Sequence, residues 1–189
     1  MPSIIPKGYE AKMYYDKPNK IQLTRQEIED AAQAGITSYL NAVYRNNSKP
    51  NNSGNSTIQS AICGYAAEAA VARALDIPWD GHLNDMAGYD VGKFQIKTTN
   101  CPWGDLVLQE NDLKYGKSTD IYILVVNNMS RQRFTFNQIP TFWIIGFASL
   151  DRVKAEGVPA YTDKQLKLTQ EQLLDINEIT FPKSVEVDK

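Results

Sequence analysis

The chain has 189 residues, 42% of them hydrophobic and 22% charged, with a formal net charge of −2. That length suits one domain of ordinary size. Near-average glycine and proline usage excludes collagen-like and low-complexity chains, and the slightly acidic balance argues against binding polyanions by bulk charge while leaving a local basic groove open.

Residues 1–23 hold three prolines and no clear periodicity, which predicts an arm lying on the domain. The arm has neither the apolar stretch nor the cleavage site of a secretory signal, and no apolar run in the chain reaches the ~20 residues that cross a bilayer. A soluble, cytoplasmic protein with no membrane partner is expected. A helix should begin at Thr24, where Thr24 and Glu27 have capping-box spacing. Ile28, Ala31, Ala32, Ile36, Tyr39, Leu40 and Val43 carry its apolar face to about Arg45. The polar stretch 46–56, NNSKPNNSGNS, offers no apolar anchor and predicts a mobile loop.

A second helix, about Thr57 to Leu75, differs in kind. Between Ala61 and Leu75 its only charges are Glu68 and Arg73, so it should be buried on most sides. Strand signals follow at 88–91, 94–99, 105–109, 120–127, 132–136 and 141–148. The continuous apolar runs DIYILVV and FWIIGFA read as central strands covered on both faces. A short helix from Ser149 and a helical turn at Thr169–Ile176 complete the pattern. Residues 1–56 then form an arm, a helix and a flexible loop, and residues 57–189 an α/β core with a C-terminal helical segment, one globular domain overall.

The segment GYDVGKFQIKTT, residues 88–99, carries the candidate chemistry. Gly92-Lys93 is a plausible two-residue hairpin loop that would pair Val91 with Phe94 and Asp90 with Gln95. Directly opposed residues share a face, as do residues two apart on a strand. Asp90, Gln95, Lys97 and Thr99 should therefore point one way, and Val91, Phe94, Ile96 and Thr98 toward the core. Glu68, on an otherwise small and apolar helix face, would be costly if buried without a partner. Two acids and an amide oxygen make a hard oxygen site suited to Mg²⁺ or Mn²⁺, and Lys97 beside it could orient a water or neutralise a phosphate oxygen. Two cysteines and the single His82 are a very poor supply for the four ligands of a zinc site, and one histidine excludes a mechanism that needs two.

A Glu on an alanine-rich helix, then Asp, a short gap and Gln-x-Lys on a strand, resembles the PD-(D/E)XK nuclease superfamily over roughly residues 58–148. The resemblance implies a restriction-endonuclease-like α/β core, a central mixed β-sheet flanked by helices. It also implies a divalent-metal-dependent nuclease, of phage or mobile-element type, that hydrolyses DNA phosphodiester bonds. By resemblance Glu68, Asp90 and Gln95 are metal ligands and Lys97 the catalytic lysine; DNA is the implied partner, with a homodimer as a further expectation. Gln95 stands where the family usually has an acid, which leaves open a nuclease-like module that binds nucleic acid or a protein without cutting. Thr99, Lys93, Lys114, Lys117, Arg131 and Arg133 are candidate backbone contacts, although scattered basic residues are also ordinary solvated surface.

Overall fold

A computed structural model of the protein describes residues 19–45, 58–81, 89–129 and 140–179. The elements run in the order β1 (Lys20–Gln22), α1 (Arg25–Arg45), α2 (Ile58–Ala74), β2 (Phe94–Thr99), β3 (Leu106–Leu108) and α3 (Glu110–Tyr115). After these come β4 (Ile121–Asn127), β5 (Thr141–Ser149), α4 (Leu150–Glu156), β6 (Val158–Pro159) and β7 (Leu166–Leu168), then two 3₁₀ turns at Gln170–Gln172 and Ile176–Glu178. The architecture is α/β, with a mixed four-stranded sheet ordered β1-β5-β4-β2 and a three-stranded antiparallel sheet ordered β3-β7-β6.

Local signals set the helix starts. The Thr24 N–H donates to the Glu27 carboxylate at 2.6 Å, and the Glu27 N–H returns a bond to Thr24 Oγ1 at 3.3 Å, which closes the capping box ahead of α1. At α4, Ser149 Oγ accepts the Arg152 N–H at 3.3 Å. Helix α2 buries Ala66, Ala67, Ala69, Ala70, Val71 and Ala72. Small side chains let it approach both the sheet and α1, where a Cβ built on Gly35 would lie 2.7 Å from the Ile62 backbone.

The two long apolar runs are the inner strands of the main sheet. Strand β4 sends Ile123 and Val125 to the side covered by α1 and α2, and Tyr122 and Leu124 to the side covered by the small sheet and α4. Each face is thus sealed by its own layer, and so alternation is absent from the sequence. Register shifts between Leu124 and Val125, the first paired with Gly146 and the second with Ile144. The extra residue, Ile145, makes a bulge that keeps Phe147 on the helical side with Phe142 and Ile144.

Some expectations need correction. The end of the presumed arm is β1, antiparallel to β5 from Lys20↔Trp143 to Gln22↔Thr141; three residues are too few to show a period. Within 88–91, the described residues form no strand beyond one bridge, Val91↔Phe94. The helical turn expected at Thr169–Ile176 is two separate 3₁₀ turns instead. Helix α3 and strands β6 and β7 went unread. The loop at 46–56 and the strand at 132–136 lie outside the described residues.

Candidate functional site

The Gly92-Lys93 loop forms as the sequence suggests. Gly92 has φ +56°, a left-handed conformation that glycine adopts without strain, and Val91 and Phe94 exchange bonds of 2.9 and 3.2 Å. The ladder then ends. Asp90 does not pair with Gln95; its N–H donates to the Phe94 carbonyl at 2.9 Å, and its carboxylate accepts the Ile96 N–H at 2.6 Å. Asp90 therefore caps the outer edge of β2, where among the described residues β2 has no strand partner beyond the Val91 bridge.

Strand β2 runs parallel to β4, with Gln95 beside Tyr122, Lys97 beside Leu124 and Thr99 beside Val126. Phe94 is fully buried on the helical side and Ile96 packs there with it. Lys97 lies on the opposite side, its ammonium 5.6 Å from the centre of the Tyr122 ring. Glu68 comes from α2, on the helical side. The candidate residues thus straddle the sheet edge with Asp90 between them, where a single shared face was expected.

The charges meet at that edge. Burial pushes the Glu68 carboxyl up to about 8; the charge of Asp90 pushes the same way, while Trp79 pulls partly back. The Trp79 indole N–H nevertheless has no partner in hydrogen-bond geometry. Asp90 is also raised, by burial first. The Ile96 N–H and the Lys97 charge oppose this, and the charge of Asp112 adds to it. Tyr122 is pushed up by burial and then by the carboxylates of Asp112, Asp120 and Asp90. The edge is an acidic basin in which Lys97 supplies counter-charge.

Asp112 was not anticipated. One of its oxygens accepts the Gln109 N–H at 2.8 Å, which starts α3, and the other holds the Lys97 ammonium at 2.8 Å; both side chains are largely buried. The capping spacing of Gln109 and Asp112 is visible in the sequence, but the partnership with Lys97 is not. Asp120, also unanticipated, is 8% exposed, accepts the Tyr89 hydroxyl at 2.9 Å and takes the Lys117 N–H at 2.8 Å.

Among the described residues, no three Asp, Glu, Cys or His side chains come together to hold an ion. The available set is two carboxylates whose charged forms are both disfavoured, and a neutral amide, Gln95, across the strand. Gly64, one turn before Glu68, leaves open space that a Cβ would enter without meeting any atom within 4 Å. Of the candidate backbone contacts, Lys93, Lys114 and Lys117 are exposed and Thr99 is half-buried at the end of β2. Lys114 and Lys117 flank Tyr115, with the Lys114 ammonium 5.0 Å from that ring. Arg131, Arg133 and His82 lie outside the described residues.

Among the described residues no helix is long and apolar enough to cross a membrane. Comparison of the chain with family models, with curated proteins and with solved structures finds no match.

Proposed function

We propose that the protein is a divalent-metal-dependent nuclease with a restriction-endonuclease-like core, hydrolysing DNA phosphodiester bonds. The observation that carries this reading is the position of Asp90, at a sheet edge where its charge acts on Glu68 from one side and meets Lys97 from the other. Glu68 and Asp90 would hold a Mg²⁺ or Mn²⁺ ion, with Gln95 as a neutral oxygen donor. When bound, such an ion supplies Lewis-acid stabilisation of phosphoryl charge and a water of lowered pKa. Lys97, held by Asp112, would lie beside the point where a phosphate oxygen becomes more negative. The Ile96 N–H fixes the Asp90 carboxylate and limits its reorientation. Exposed Lys93, Lys114 and Lys117 would meet the nucleic-acid backbone.

A second reading, a nuclease-like module that binds without cutting, is favoured by one observation: the Lys97 ammonium is already occupied by Asp112. DNA nicking alongside Mg²⁺ calorimetry separates the two. For a nuclease, Lys97→Ala retains Mg²⁺ binding and lowers cleavage on the order of 10²-fold or more. Asp90→Ala loses both, and Gln95→Glu tightens Mg²⁺ and preserves or raises cleavage, because hard cations prefer charged oxygens. Unchanged Mg²⁺ affinity and cleavage in Asp90→Ala would reduce Asp90 to an edge cap and overturn the assignment.

A further inference from the structure

Between β2 of the main sheet and β3 of the small sheet lies a cavity of about 480 Å³. Its walls include Lys97, Thr99, Trp103, Val107, Leu124 and Tyr161. Trp103 and Tyr161 are exposed, 49% and 87% respectively. A half-exposed and a largely exposed aromatic ring lining one cavity are unusual, since such rings normally bury their faces.

Several polar groups around the cavity are already engaged. Asp105 holds the Lys167 ammonium at 2.7 Å, Thr99 Oγ1 accepts the Cys101 N–H at 3.1 Å, and Gln109 is bonded to Gln165. What remains is ring face and aliphatic wall, Leu124 and Val107, with the Lys97 side chain at one side. A ligand that fits this chemistry has a flat ring with two apolar faces, and an anionic group on it would meet Lys97 only in exchange for the 2.8 Å bond to Asp112. The volume is in the range of sites that enclose a small ligand. Bases stack on aromatic side chains with little dependence on sequence, because every base has a π-face. In a duplex those faces are covered by neighbouring bases, and only the edges are open to a protein.

We propose that this cavity binds an unpaired nucleobase, with Trp103 and Tyr161 as the stacking residues, so that the strand presented to Lys97 is single-stranded DNA. The choice of ligand rests on the nuclease reading, because Lys97 is what joins the cavity to the acidic edge.

Tryptophan fluorescence and anisotropy of a labelled oligo(dT), measured in EDTA on the full chain, test it without any cleavage. Oligo(dT) should quench the Trp103 emission and bind at least ~10-fold tighter than the same strand in a duplex. Trp103→Ala and Tyr161→Ala should each weaken oligo(dT) binding ~10-fold. The thermal midpoint of Tyr161→Ala should not change, because that side chain is exposed, and Trp103→Phe should restore most of the affinity lost in Trp103→Ala. Equal binding of duplex and single strand, or undiminished binding by the double variant, overturns the site. Cleavage assays of the same variants keep the two readings apart. Single-strand binding through Trp103 without any cutting leaves the cavity standing and removes the nuclease. Duplex cutting that is indifferent to Trp103→Ala and Tyr161→Ala removes the cavity and leaves the nuclease.

Discussion

At Asp90 a backbone hydrogen bond and burial pull the ionisation of one carboxyl in opposite directions. Its bond to the Ile96 N–H closes an edge amide and favours the carboxylate, yet burial outweighs that bond and raises the group. Glu68 lacks a compensating backbone bond and shows the larger consequence, from 4.5 to about 8. The native state therefore holds this proton between those pH values, where the unfolded chain releases it. Stability from this source is full below 4.5 and is lost as pH rises through about 8, by an amount on the order of a few kcal/mol. Without divalent ions, the urea midpoint of the wild type should fall from pH 5 to pH 8.5, and Glu68→Gln should remove most of that slope. An unchanged slope in Glu68→Gln would show that Glu68 is not the group responsible.

At the scale of elements, the crossing of α1 and α2 depends on one missing side chain. A Cβ on Gly35 would approach the Ile62 N and Cα at 2.7 Å and the Ala61 carbonyl carbon at 2.9 Å, and these backbone atoms cannot swing aside. Alanine in a helix interior gains about 1 kcal/mol over glycine, while overpacking against fixed atoms costs ~1–3 kcal/mol and occasionally more. The clash wins, so Gly35→Ala should lower stability by up to roughly 2 kcal/mol in urea unfolding. A rise in stability would mean that the helices separate freely there. Because α2 carries Glu68, the same variant should also weaken Mg²⁺ binding.

At the scale of the molecule, the main sheet is covered by α1 and α2 on one side and by the small sheet with α4 on the other. The acidic edge lies where β2 ends that sandwich. A cation bound there by the folded state alone raises stability with the logarithm of its concentration. Mg²⁺ at about a hundred times its dissociation constant should contribute ~2.7 kcal/mol and shift the thermal midpoint upward by a few degrees. Asp90→Ala should show no Mg²⁺-dependent shift, and a shift of the same size in that variant would locate the ion elsewhere.

The sequence by itself determined what depends on near neighbours along the chain. The Thr24–Glu27 box, the short helix after Ser149, the Gly92 turn, the buried alanine helix and the two doubly covered strands each rest on spacing within a few residues, and each is present. The same spacing brought Asp90, Lys97 and Glu68 forward as a group before any fold was known. Only the tertiary structure decided which side each approaches from. A carboxylate at a sheet edge can take a backbone N–H in place of a cross-strand partner, and no pattern of residue types distinguishes those outcomes. The ion pair between Lys97 and Asp112 spans fifteen positions and a change of element, and the pairing of β1 with β5 joins segments more than a hundred residues apart. Contacts of that range are selected by how whole layers pack, because the local free energies on either side are too similar to choose them.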